Sequence, residues 1–193
     1  MSLNGEASAS HLVLEQKRRF KFLLVGDPDC GKTRIIQTYL RNSAPKAVTH
    51  DPISTTYEYD LGGTNSNVEI SLVDARGTYD ISKASECFNS TNVAIFFYAI
   101  NNLQSLENVR YCWIPRFRKC SGFNVPTILV GNKKDLRASR GLRSIASLQP
   151  HSVPFFHGMK TKNCCSMDMF LECSAEDHES IDCLFQAAYS YVI

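Results

Sequence analysis

The chain has 193 residues, enough for one compact domain and too few for two ordinary ones. Its formal net charge of +2, with 44% hydrophobic and 21% charged residues, is that of a soluble globular protein, and it supplies no field favouring nucleic acid or strongly acidic partners. No apolar run approaches the ~20 residues of a membrane span, and the polar start has neither the apolar core of a secretion signal nor a glycine at position 2.

Residues 1–17 read as a mobile extension and 18–193 as one domain. The basic cluster Lys17, Arg18, Arg19 and Lys21 reads as the solvated start of a strand rather than a membrane patch. Residues 20–25 (FKFLLV) form a strand-like apolar run, followed by a glycine turn and a helical pattern through Ile35, Ile36 and Tyr39. Residues 55–61 and 68–73 read as two strands of a hairpin, with Gly62, Gly63 and an Asn-rich turn between them. The continuous apolar run 93–100 (VAIFFYAI) is expected of a strand buried on both faces. Residues 103–117 read as a helix distorted near Pro115. Residues 127–130 and 171–173 are short strands, and 181–192 is a terminal amphipathic helix with Leu184, Phe185, Ala188 and Tyr189 on its apolar side. Strands alternating with helices predict an α/β fold, a mostly parallel six-stranded sheet with one antiparallel strand and helices on both faces.

The eight cysteines form no C-x-x-C pair and no metal spacing with histidine, which points to a reduced intracellular setting. Most read as small buried hydrophobes, Cys183 of the terminal helix among them.

Two motifs carry chemistry. Gly26, Asp27, Pro28, Asp29, Cys30, Gly31, Lys32 and Thr33 match G-x-x-x-x-G-K-[ST], directly after a strand and opening a helix, which is the context of a P-loop. Such a loop turns backbone N–H groups inward as an anion nest, and the following helix N-terminus adds partial positive charge. Lys32 would reach the terminal phosphates and Thr33 would place its hydroxyl on Mg²⁺. Asn132, Lys133, Lys134 and Asp135 read N-K-x-D straight after the strand at 127–130. Asp135 can accept from the guanine N1–H and 2-amino group; adenine offers neither donor, so a buried Asp135 would be left unpaired. Asn132 would bond the ring edge and tie this loop to the P-loop, and the stem of Lys133 would lie over base and sugar. Cys173, Ser174 and Ala175 resemble an element whose alanine N–H meets the guanine carbonyl oxygen.

Over residues 19–192 these motifs resemble the Rho branch of small GTPases. Asp27 after the first P-loop glycine, the stretch 106–117 (LENVRYCWIPRF), the residues 171–175 (LECSA), and Asp135-Leu136-Arg137 leading into an insert around 139–150 carry the likeness. It implies a P-loop NTPase fold and a Mg²⁺-dependent GTP/GDP switch whose loops are ordered by the γ-phosphate. It implies effector proteins, exchange factors and GTPase-activating proteins as partners of a monomer, and a cytoplasmic place, reaching membranes through those partners. The family's prenylated C-a-a-X box does not close this sequence, so no lipid anchor is expected in this chain. Tyr191-Val192-Ile193 reads as the last turn of the helix rather than a peptide for carboxylate capture.

The departures are as informative. Asp74-Ala75-Arg76-Gly77 stands for the family's D-x-x-G, with Asp74 near Mg²⁺ and the Gly77 N–H toward the γ-phosphate. Thr78 replaces the glutamine that orients the attacking water, and Arg76 replaces a small residue, to clash with the switch or to stabilise the phosphates. Pro28 lacks an N–H beside the phosphates, and Asp29 adds a repelling carboxylate. In the first switch, Thr55 aligns as the Mg²⁺ ligand with Thr56 second, and the aromatic expected over the base is missing around residues 44–48. Two functional readings follow: a GTP-hydrolysing switch with impaired turnover, acting as an enzyme with a partner's help, and a non-hydrolysing pseudoGTPase that scaffolds other proteins. An ATP-using P-loop enzyme is a third, opposed by Asn132 through Asp135.

Overall fold

Side chains alternate across the first strand, β1 (Arg18–Gly26), with Phe22 and Leu24 in one buried cluster and Leu23 and Val25 in another. That two-sided burial requires covering layers on both faces, and the computed structural model, which describes residues 17–42, 45–62, 67–76, 86–138 and 152–193, provides them. In chain order follow α1 (Lys32–Tyr39), β2 (Ala47–His50), β3 (Ser54–Asp60), β4 (Val68–Ala75), β5 (Val93–Ala99), α2 (Leu103–Asn108), a π-helical turn (Val109–Trp113), α3 (Ile114–Ser121), β6 (Thr127–Asn132), α4 (Asp135–Ala138), α5 (Phe155–Cys164), β7 (Met169–Glu172) and α6 (His178–Tyr189). The sheet runs β2-β3-β4-β1-β5-β6-β7. β1, β4, β5, β6 and β7 pair in parallel, and β3 is antiparallel to both β2 and β4.

The α/β architecture agrees with the sequence pattern, but the sheet has seven strands where six were expected. The added strand β2 pairs residues 47–50 with 55–58 of β3, and all four of its residues are exposed. With no buried side chain it has no hydrophobic pattern to read; a backbone ladder and Lys46, whose N–H donates to the Glu58 carbonyl, hold it. The helix expected at 103–117 runs on to Ser121 in three pieces. Pro115 supplies no N–H and its ring would meet the carbonyl four residues back, so the backbone widens into the π-turn just before it. α5 was not foreseen. Cys183 is exposed on α6, whose buried face is Ile181, Leu184, Phe185 and Ala188; one residue before Leu184, it turns out of the core stripe. Of the cysteines, Cys30, Cys87, Cys165 and Cys173 are buried, whereas Cys120, Cys164 and Cys183 are exposed. The insert at 139–150, the extension up to residue 16, and Gly77 and Thr78 lie outside the described residues.

One face of the sheet packs Phe22, Leu24, Ile95 and Phe97 against Ile35 and Ile36 of α1 and Leu184 and Phe185 of α6. The other packs Leu23, Phe96 and Leu129 against Leu106, Trp113 and Phe117. α1, α6 and β3 also meet through three tyrosines. The Tyr39 and Tyr189 hydroxyls are 2.7 Å apart, and Tyr189 also bonds Tyr59, which is 4% exposed. Burial pushes the Tyr59 and Tyr189 phenols far above their ordinary value.

Removing the shared hydroxyl leaves the buried Tyr59 phenol and the half-buried Tyr39 phenol to repair their bonding without it. Tyr189→Phe is therefore expected to lower unfolding stability by about 1 kcal/mol or more in urea titrations monitored by circular dichroism. An unchanged midpoint would contradict this account of the cluster.

Candidate functional site

The phosphate loop leaves β1 at Gly26, whose φ is +152° and where a Cβ would collide with the Phe97 carbonyl oxygen. Only glycine passes that point. The next carboxylate, Asp27, is 7% exposed and turned out of the loop: it accepts from Trp113 Nε1 and from Asn108 Nδ2, both at 2.7 Å. Pro28 and Asp29 form the exposed tip, and Asp29 holds a left-handed φ of 61°. Cys30 is buried with its thiol on the Asp27 carbonyl, and Gly31, at φ 91°, precedes the first turn of α1. No side chain caps that turn, so its N–H groups are open toward the loop. Lys32 is buried across the loop, its ammonium donating to the carbonyls of Gly26 (2.8 Å) and Asp27 (3.0 Å). The loop is thus braced by its own lysine.

Thr33, next on α1, donates its hydroxyl to the Asp74 carboxylate at the end of β4. Burial raises the Asp74 pKa, opposed by the Thr33 bond and by the positive charges of Lys32 and Arg76. Thr55 is paired directly with Asp74 across β3 and β4, and His50 with Thr55 across β2 and β3, so the three side chains share one face. The Thr55 hydroxyl lies 3.1 Å from His50 Nδ1, whereas Thr56 faces the opposite side of the sheet. The Arg76 N–H donates to the Ile53 carbonyl, tying the start of the following segment to the turn before β3.

The second wall comes from β6 and β7. Asn132 is 1% exposed and donates from Nδ2 to the Cys30 carbonyl at 2.8 Å, in the space that a side chain on Gly31 would fill. Lys133 takes φ 67°, and its stem lies close to Gly31. The Asp135 carboxylate accepts from the Ser174 hydroxyl at 2.6 Å, and that hydroxyl accepts in turn from the Glu176 N–H. Cys173 sits beneath, its thiol 3.6 Å from Asn132 Oδ1, and burial pushes it up to about 12. Between these loops lies a cavity of about 180 Å³, bounded by Gly31, Asn132, Lys133, Asp135, Ser174 and Ala175, with Arg34 and Glu176 also on its wall. It is small for a drug-sized ligand and suits one flat ring system. A larger cavity of about 670 Å³ lies beside Lys21, Ile53, Thr56 and Cys87 and includes none of these loops.

The fold therefore brings the P-loop, Asp74 and the loops at 132–135 and 173–176 to one end of the parallel strands, at their carboxyl ends. The sequence reading placed Asp27 among nucleotide-facing residues without seeing that its carboxylate is taken up by Asn108 and Trp113, and it missed Arg34 and Glu176. No local pattern marks that pair; they are 142 positions apart.

Among known proteins, the model of the Ras family matches residues 21–193. The Rho-related GTP-binding protein RhoF of Mus musculus is 29% identical over 177 residues, covering 89% of this chain and 82% of the relative. RhoF of Homo sapiens is 28% identical over the same length with the same coverage. Among the described residues, no helix is long and apolar enough to cross a membrane.

Two measurements check this geometry. In native protein at pH 8, the exposed Cys120, Cys164 and Cys183 are expected to alkylate rapidly, and Cys30 and Cys173 only on unfolding, as read by mass spectrometry. The unfolded Cys173 ionises near its ordinary 9.0, but the folded thiol keeps its proton to about 12. Stability therefore falls as pH rises between those values, by about 1.4 kcal/mol per pH unit for this group. Denaturant midpoints that hold level from pH 9 to 11 would contradict the buried thiol.

Proposed function

Because this chain belongs to the Ras family, on its Rho-like side, we propose that it is a guanine-nucleotide-binding switch whose hydrolytic turnover is impaired. The observation that carries the proposal is a cavity walled jointly by Gly31 and by Asn132 and Asp135, so that an anion cradle and a carboxylate suited to guanine would face one ligand. In this reading the backbone of Gly26 through Thr33 holds the phosphates, Lys32 neutralises them, and Asp135 and the Ala175 N–H read guanine. The curated relatives are named for GTP binding, which supports the same base.

Mg²⁺ fits the donors present. Among the described residues no group of three or more His, Cys, Asp or Glu could hold a metal, but Thr33 offers a hydroxyl and Asp74 a carboxylate in contact with it. Such hard oxygens hold Mg²⁺ together with phosphates and water. When bound, the ion would neutralise charge on the terminal phosphates; Thr33 and Asp74 would hold it, with Asp74 acting through water, and Thr55 shares their face. The Lys32 ammonium stays fixed by two carbonyls and needs no reorganisation to meet the phosphates.

Turnover is a separate matter. Thr78 stands where the resemblance expects the water-orienting glutamine, next to Gly77, and a threonine side chain is too short to hold a water at that reach. Pro28 and Asp29, at the exposed loop tip, favour the second reading, a pseudoGTPase that presents a fixed surface to protein partners. Effectors, exchange factors and GTPase-activating proteins are the partners that the Rho likeness implies.

The decisive experiment extracts the nucleotide from purified protein and follows phosphate release in a single turnover with Mg²⁺. Bound GTP or GDP, with conversion on the scale of minutes, is expected of the slow switch; GTP that persists for hours establishes the scaffold; bound ATP overturns the base assignment. Asp135→Ala is expected to weaken GDP roughly 10²-fold by calorimetry, through loss of two bonds to a charged acceptor.

A further inference from the structure

The family likeness calls for an aromatic side chain over the base around residues 44–48; residues 47–50 form the exposed edge strand β2, and among the described residues none that lines the base cavity is aromatic. A purine seated there would keep one π-face against water. The rim of the cavity carries a different flat group. Arg34, one turn into α1 from Gly31, and Glu176, next after Ala175, both line the cavity and form an ion pair across it, Arg34 Nη2 to Glu176 Oε1 at 2.5 Å. Their side chains are 68% and 63% exposed, in contrast to Asn132 at 1%, so the pair forms the mouth and Asn132 the floor.

We propose that Arg34 is the base-stacking residue of this site: its guanidinium, steered by Glu176, covers the open face of the purine in place of an aromatic ring. This rests on the guanine-nucleotide reading above. A guanidinium is planar, delocalised and weakly hydrated, and it stacks on flat π-systems where an ammonium does not. An exposed ion pair is weakly held in water, so the pair opens to admit a base and re-forms over it. A helix and a loop carry the two partners. Arg34 follows Thr33 on the helix that starts at the P-loop, and Glu176 donates its N–H to the Ser174 hydroxyl, which itself donates to Asp135. Glu176 and Asp135 are therefore tied to one hydroxyl, that of Ser174.

The test titrates the full chain with GDP in Mg²⁺ buffer and, separately, with inorganic tripolyphosphate, which has no base. Arg34→Ala is expected to weaken GDP about tenfold, as base stacking is worth, while leaving tripolyphosphate affinity and the melting temperature of the nucleotide-free protein unchanged. Arg34→Phe is expected to restore GDP affinity, and Arg34→Lys, which keeps the charge without the plane, is not. Glu176→Gln, which frees the guanidinium from its anchor, is expected to give a smaller loss. Equal GDP affinity for wild type and Arg34→Ala overturns the inference. A parallel fall in tripolyphosphate affinity also overturns it by placing Arg34 on the phosphates, as does full rescue by lysine but not phenylalanine. A wild-type chain that binds neither GDP nor GTP instead overturns the nucleotide reading and this inference with it.

Discussion

The amide of Asn132 occupies the space above Gly31, with Nδ2 on the Cys30 carbonyl. Most of the site depends on this contact. A side chain at residue 31 would collide with that amide, and the positive φ of Gly31 would strain any other residue as well. The bond is buried, so losing either partner leaves a polar group without water to replace it. β5 separates β1 from β6 in the sheet, and the loops following β1 and β6 reach over its end to touch. Once they are joined, the remaining ties are short: Cys173 beneath Asn132, Ser174 on Asp135, and the Lys133 stem along Gly31. Three loops from three strands become one wall, and that wall can present a cradle and a carboxylate at fixed separation.

The far side of the loop is anchored differently. Asp27 is spent on Asn108 and Trp113, which belong to the layer covering the opposite face of the sheet. These residues sit at the end of α2 and the end of the π-turn, so the widened backbone before Pro115 sets where the indole N–H points. A proline that looks like a defect in a helix is thus part of how the phosphate loop is oriented. The P-loop is consequently gripped from both faces, by Asn132 on one side and Trp113 on the other.

The elements that a local pattern specifies were legible in the sequence. The apolar run at 93–99, the glycine-cornered loop and the hydrophobic stripe of α6 each satisfy a short-range rule, and each lies where that rule puts it. What escaped was decided at long range. β2 has no buried residue to give it a period, so only the partner strand reveals it. α5, with Gly158 among its few buried positions and exposed Phe155 and Phe156, has too weak an apolar stripe to mark a helix, and its glycine is required because Phe170 and Tyr98 crowd that point. Cys183 was assigned by residue type, and the one-residue offset from Leu184 decides its exposure. Of the site, the motifs identified the loops, but the direction of Asp27 and the meeting of Arg34 with Glu176 depend on which helices and loops the sheet order brings together.

The departures from the family pattern are unevenly distributed across this frame. The residues that hold the base loops together, Gly31, Asn132, Asp135 and Ser174, sit in mutual contact, where a change in one would disturb the rest. The departures fall on the exposed tip, at Pro28 and Asp29, on the sequence from Arg76 to Thr78, and around residues 44–48, where the aromatic expected over the base is missing. The tip can change without moving the wall, since Lys32 braces the loop from Gly26 and Asp27 rather than from residues 28 and 29. In the proposed switch, holding a nucleotide and cleaving it are therefore separable: the first rests on the buried wall, the second on the residue that follows the D-x-x-G element. Under the reading proposed above, a chain that keeps the wall and lacks the glutamine after its D-x-x-G element keeps the means to bind while orienting water poorly. That asymmetry is what the proposed switch with impaired turnover rests on.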